Sequence, residues 1–265
     1  MTKLSIFFIL FIALFLFPAC GIFTAKVHKQ SYDFKHPYKS PEAENILLML
    51  KNENDKLKTF KGIGKIKLWN KGKIQINERA AWIGASPESM RILIRNISGM
   101  PLASLSTDGK HLYFASHVDR HFYKKSLTDD GLKPIISIPI KPEEIIALLA
   151  GRVPLRKYKY AALTKNRANE GYILLLGKNR WNVIEKIYLN ENKNKIYKVE
   201  VYDETGSLLY RSVFENVEAQ NVKEYKVPSQ LMISNDEGIV FKLLIDKYWA
   251  DVSILPSMFV LKPQD

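Results

Sequence analysis

Residues 73–82 read "KIQINERAAW". Ile74, Ile76, Ala80 and Trp82 alternate with Lys73, Gln75, Asn77 and Arg79, and only Glu78 interrupts the apolar side. A period of two sends successive side chains to opposite faces, which is the mark of a strand with one buried face. The same character continues outward in both directions. Upstream lies "FKGIGKIKLW" (60–69). Downstream come "SMRILIRN" (89–96), "PLASLSTDGKHLYFAS" (101–116), with Asp108-Gly109 as a hairpin turn, and "RHFYKKS" (120–126). Further strand-like runs fill 157–163, 171–178, 181–190, 195–203, 208–216, 223–234 and 238–252, with turns at Asn192 and Asn194, Gly206, and Asp236 to Gly238.

Two stretches are helical. In "SPEAENILLMLKNENDKLKTF" (40–60), Ser40 caps, Pro41 suits the first turn, and Glu42 and Glu44 favour the positive end. Ile46, Leu47, Met49, Leu50 and Leu57 give an apolar stripe. In "IPIKPEEIIALLAGRVPL" (138–155), Pro142, Glu143 and Glu144 open a short helix and Gly151 stops it. The count is ten to twelve strands and two helices without an internal repeat. That predicts a mainly β protein built on one large curved antiparallel sheet or barrel. "GYILLLGK" (171–178) and "GIVFKLLIDKYW" (238–249) are apolar on both faces. They need cover on both sides, from helices, from a second sheet or from a greasy cavity.

The chain starts "MTKLSIFFILFIALFLFPAC". Lys3 is a short positive n-region, and Leu4 to Phe17 is an apolar run too short to span a bilayer, which takes about 20 residues. It fits a secretory signal segment, with the small Ala19 before Cys20. Cys20 is the only cysteine. The arrangement resembles a bacterial lipobox, with Phe17 where leucine is usual and Gly21 following the cysteine. A signal peptide is expected over 1–19, a lipidated N-terminus and tether over 20–40, and a folded domain over 41–265. One cysteine excludes an intrachain disulfide framework. The 46% hydrophobic content supports a packed core, and the formal charge of +13 suits either anionic headgroups or acidic partners at a membrane or, since the basic residues are spread among strand-like segments, an ordinary solvated basic surface.

Catalytic motifs are missing from the sequence: there is no HExxH, GxSxG or CxxC. "GIGK" (62–65) lacks the spacing and the hydroxyl residue of a phosphate loop, and its glycines fit strand positions beside close packing. His117 and His121 flank a turn without a carboxylate cluster, so no metal site is expected. Glu143 and Glu144 are read as helix-dipole partners. Neither catalysis nor a cofactor is predicted.

The order of elements is a lipobox-like cysteine, a tether, a helix, "FKGIGKIKLW", "INERAAW", "MRILIRNISGMPLASLSTDGKHLYF", "IPIKPEEIIALLAGRVP" and "PSQLMISNDEGIVFKLLIDKYW". Over residues 43–253 it resembles the LolB outer-membrane lipoprotein receptors of the wider LolA/LolB-like superfamily. The resemblance implies an incomplete antiparallel barrel of about eleven strands, with helices as a lid over an apolar cavity. It implies a receptor that takes lipoprotein acyl chains from a periplasmic LolA-type carrier and inserts lipoproteins into the outer membrane, without enzyme activity. The expected location is the periplasmic face of the outer membrane, anchored through Cys20, because Gly21 replaces the aspartate that retains lipoproteins at the inner membrane. Outer-membrane lipids are expected partners, nucleic acid is not, and a monomer is expected. The alternative is a lipid-anchored binding, regulatory or envelope-assembly module on the same fold. A hydrolase without a recognisable motif is a third class.

Two sets of site residues follow. Alternation puts Ile74, Ile76 and Trp82 on one face and Ile92 and Ile94 on one face of the next strand, either as acyl-cavity lining or as ordinary core. "RNISGMPL" (95–102) forms a turn at Gly99 and Pro101, and Ile97 and Met100 within it either fold under the sheet edge or form a membrane-insertion loop. In the LolB pattern a large apolar residue directly precedes the glycine; here that place holds Ser98.

Overall fold

The computed structural model describes residues 40–128, 130–167, 170–218 and 225–263. Cys20, the signal segment and the tether lie outside them. Thirteen strands form: β1 Thr59–Asn70, β2 Lys73–Ala85, β3 Ser89–Arg95, β4 Pro101–Asp108, β5 His111–Ser116, β6 His121–Ser126, β7 Tyr160–Lys165, β8 Tyr172–Asn179, β9 Asn182–Leu189, β10 Ile196–Tyr202, β11 Leu208–Glu218, β12 Lys226–Ser234 and β13 Ile239–Ala250. The helices are α1 Pro41–Asn52, α2 Lys133–Ile136 and α3 Pro142–Leu149, with a 3-10 turn at Pro256–Phe259.

All thirteen strands join one antiparallel sheet in the order β6-β5-β4-β3-β2-β1-β13-β12-β11-β10-β9-β8-β7. The sheet is curved and unclosed, as expected, with more strands than the ten to twelve read from the sequence. The chain lays down β1 to β6 outward from the centre and crosses from one edge to the other through residues 127–159, which carry α2 and α3. It then returns inward from β7 to β13, which pairs with β1. Sequential hairpins need only short turns, and the crossover supplies α3, which covers the concave face together with the N-terminal α1.

Burial follows the period of two where that face is covered. Phe60, Ile66, Ala80, Trp82, Met90, Ile92 and Leu105 belong to the main core, together with Ala43, Ile46, Leu47 and Leu50 of α1 and Ile145, Ile146, Leu148 and Leu149 of α3. In "GIGK" close approach explains the first glycine. A Cβ on Gly62 would meet the Trp82 ring at 2.3 Å, and one on Gly84 would meet the Phe60 ring at 2.3 Å. Each aromatic thus lies over a glycine of the neighbouring strand, in the register Phe60↔Gly84 and Gly62↔Trp82.

The caps behave as read. The Ser40 hydroxyl accepts from the Ala43 amide at 3.2 Å, and the Lys141 amide donates to the Glu144 carboxylate at 2.9 Å. α1 ends at Asn52, so Leu57 is buried from the turn beyond the helix. On the convex side, the doubly apolar β8 finds cover of its own, since Leu175 packs with Val183, Tyr160, Ala162 and Ile173. β13 is covered on the core side only: Phe241 and Leu243 are buried, whereas Val240 and Leu244 are half-buried. The C-terminal segment covers the convex face at β3 to β5, where the Ser106 hydroxyl donates to the Phe259 carbonyl at 2.6 Å and Leu261 packs on Tyr113 and Ala115.

Candidate functional site

The β3–β4 loop is a hydrogen-bonded turn with an apolar tip. The Asn96 side-chain oxygen accepts from the Ser98 hydroxyl at 2.7 Å and the Met100 amide at 2.9 Å, and the Gly99 amide donates to the Asn96 carbonyl at 3.0 Å. Gly99 has φ +87° with open space where a Cβ would go, so the backbone angle alone calls for glycine. This geometry turns Ile97 and Met100 outward, 99% and 61% exposed. They do not fold under the sheet edge.

The same rim of the sheet carries more of this character. Antiparallel pairing brings the β5–β6 turn beside the loop, through Ala103↔Ser116 and the His117 amide donating to the Leu102 carbonyl. Val118 in that turn is 68% exposed, and Arg95 and Arg120 lie exposed nearby. Exposed large apolar groups next to cations are the composition of a membrane-interface surface.

Four of the five residues assigned to a cavity from alternation belong to or pack against the main core. Trp82 and Ile92 are buried in the core, and Ile76 and Ile94 are half-buried against it. Ile74 is 59% exposed: a register shift between Leu68 and Trp69 pairs it with Trp69, opposite in face to the Leu68–Ile76 pair that packs on the core. None of the five lines the cleft described next.

That cleft, of about 810 Å³, opens between the α3 side and the ends of β8 to β10. Its apolar lining includes Leu50, Pro87, Ala147, Val153, Leu155 and Ile184, and six lysine or arginine side chains face three carboxylates around it. Arg156 donates from Nε to Glu144 at 2.7 Å, and its backbone amide donates to Glu185 at 3.1 Å. Glu185 is completely buried. Burial pushes its carboxyl up to about 8, helped by the nearby Glu144 and opposed by Arg156. Arg152 is pulled below the ordinary arginine range by burial.

Sequence reasoning read Glu144 as a dipole partner and missed its second role as the counter-ion of Arg156. It also missed Arg152, Arg156 and Glu185. The available signal was a carboxylate inside the apolar run "NVIEKIYL" (182–189) and two arginines in "AGRVPLRK" (150–157). His117 bonds Ser104 through Nε2 at 2.8 Å, and His121 is exposed at the start of β6. Among the described residues no three His, Cys, Asp or Glu side chains are grouped to hold a metal ion, and no helix there is long and apolar enough to cross a membrane.

Neither a family model nor a curated protein matches the chain in sequence. Solved structures do match in three dimensions. A LolA superfamily protein from Nitrosomonas europaea superposes with a TM-score of 0.54 at 16% identity, covering 83% of this chain and 97% of that one. The fold is LolA-like. A domain from Vibrio parahaemolyticus, named for outer membrane lipoprotein sorting, gives 0.56 at 12% identity over 82% and 96% of the two chains. A DUF1329 family protein from Desulfovibrio piger gives 0.58 at 9% identity over 83% and 96%. The LolA-like sheet and its helices are therefore shared with proteins of very different sequence.

Proposed function

We propose that this protein is a lipid-anchored receptor of the bacterial envelope that holds acyl chains of lipoproteins in the cleft beneath its helices and passes them to a membrane through the β3–β4 tip. Cys20 is the anchor, the periplasmic face of the outer membrane is the location, and a soluble LolA-type carrier is the donor. No catalytic step is needed, because acyl transfer between carrier and bilayer is partition: burying each CH₂ yields about 0.8 kcal/mol on either side.

The observation that carries this reading is the outward placement of Ile97 and Met100 on a hydrogen-bonded turn of a LolA-like sheet. Inserting each into lipid yields roughly 1.5–3 kcal/mol, a reversible grip. The basic neighbours Arg95 and Arg120 favour anionic headgroups.

The test is a double variant, Ile97→Glu with Met100→Glu, loaded with a fluorescent acylated lipopeptide and mixed with phospholipid vesicles. Folding and loading should match the parent protein, while transfer to vesicles is lost and the lipopeptide stays on the protein. Normal delivery by the variant would remove the insertion role. A parent protein that binds lipid without ever releasing it would favour the non-transfer module on the same fold.

A further inference from the structure

The cleft holds a cation, Arg152, that has no ion-pair partner among the described residues. Arg152 donates from one terminal nitrogen to the Ser86 hydroxyl at 2.9 Å, while its Nε is buried with no hydrogen-bond partner. It forms no ion pair among the described residues, and Asp55 and Tyr248 act on it only through space. The two other cation–carboxylate contacts in the cleft are already made, Arg156 with Glu144 and Lys178 with Glu204. Lys51 and Lys157 stand exposed in its lining, without a carboxylate partner among the described residues.

Arg152 is half-buried, and holding part of a guanidinium away from water is unfavourable unless an anion meets it. Arginine presents a planar fork that matches phosphate and carboxylate oxygens. Beside it runs the apolar wall of Leu50, Val153, Leu155 and Ile184. A volume of 810 Å³ is in the range of small-molecule sites.

We propose that the cleft is a binding site for an anionic amphiphile, with the phosphate or carboxylate head on Arg152 and its single chain along the apolar wall. Lys51 and Lys157 attract the head at the entrance. The inference deepens the acyl-chain reading and rests on it for the apolar half of the site; the head-group specificity is new.

The experiment titrates the full-length purified protein with dodecyl phosphate, dodecyl maltoside and inorganic phosphate, each below micelle formation, by calorimetry. Dodecyl phosphate should saturate at one site and bind at least about tenfold more tightly than either of the others, as a charge-assisted contact requires. Arg152→Gln should cost about tenfold for dodecyl phosphate and leave dodecyl maltoside within about twofold. The Lys51→Gln, Lys157→Gln pair changes only exposed residues and should cost about threefold by weaker, screened attraction. Thermal unfolding of Arg152→Gln should occur no lower than in the parent, since a half-buried charge without an ion-pair partner is removed; if it unfolds lower, the lysine pair carries the test. Equal binding of dodecyl phosphate and dodecyl maltoside, unchanged by the variants, overturns the head-group site and leaves the acyl reading standing. Inorganic phosphate binding as tightly as dodecyl phosphate overturns the amphiphile. No binding of either dodecyl compound overturns the acyl reading and this inference with it.

Discussion

Glu185 and Glu200 sit on neighbouring strands of one sheet and have opposite charge behaviour. Glu185 pairs across the ladder with Val201 and Glu200 with Lys186, so the two carboxylates point to opposite faces. Both are buried. Glu185, on the concave side, has one backbone donor, from Arg156, while its other oxygen has no hydrogen-bond partner. Glu200, on the convex side, accepts from the Tyr188 and Tyr202 hydroxyls at 2.7 Å each and from Arg211 Nε at 2.8 Å, with Lys198 at 3.2 Å. Burial raises both. At Glu200 the hydrogen bonds and cations outweigh it and hold the carboxylate down at about 2, whereas at Glu185 burial prevails and the group stays near 8. Depth alone does not fix the charge of a buried acid; the donors that reach it do.

The largest effect should come from removing the cation of the concave cluster. Arg156→Leu leaves Glu144 without its counter-ion and Glu185 without a nearby positive charge. Urea unfolding at pH 7 should show a loss of about 3–5 kcal/mol. A loss below about 1 kcal/mol, within the range of ordinary surface changes, would mean that the cluster is neutral throughout.

Next is the pH dependence of Glu185. Its folded value, about 8, lies above the ordinary 4.5. The folded state therefore binds the extra proton. This contribution is fully present below about 4.5 and is lost as pH rises through 8, at ~1.4 kcal/mol per pH unit between them. Glu185→Gln keeps the neutral shape and should remove the slope, gaining roughly 3 kcal/mol on the parent protein between pH 5 and pH 8. Urea midpoints measured across that range check it; parallel curves for the two proteins would place the charge on Glu185 after all.

Glu200→Gln gives the smaller effect with the opposite sign. Here the folded value lies below 4.5, so the stabilisation is present above 4.5 and is lost as pH falls through about 2. At pH 7 the variant should lose about 1–3 kcal/mol through weakened charged hydrogen bonds. The difference from the parent should close toward pH 2, read from acid unfolding followed by circular dichroism. A difference that grows in acid would contradict the assignment.

The LolA-like sheet was legible because its signals are local. Alternation in "KIQINERAAW", the turn at Asp108-Gly109, the cap at Ser40 and the stop at Gly151 each depend on residues within a few positions. The tip was half legible. A turn around Gly99 follows from sequence, but whether Ile97 turns in or out does not, because both outcomes share the same local pattern. Alternation groups Ile74 with Trp82, but the register shift between Leu68 and Trp69 breaks the period there, and a strand bulge is not visible in a period of two.

By itself, the sequence determined the antiparallel strands, the two main helices and the absence of a disulfide framework, because periodicity, caps and a single cysteine act without reference to distant residues. Tertiary structure alone decided the rest. Arg156 meets a carboxylate 29 residues away in Glu185. The C-terminal segment covers β4 through a hydrogen bond spanning 153 residues. The cleft collects its cations from α1, from crossover residues 141–157 and from the end of β8. Such contacts depend on how the crossover folds the chain back over the sheet, and the energy of a buried charge depends on which donors that path brings within reach.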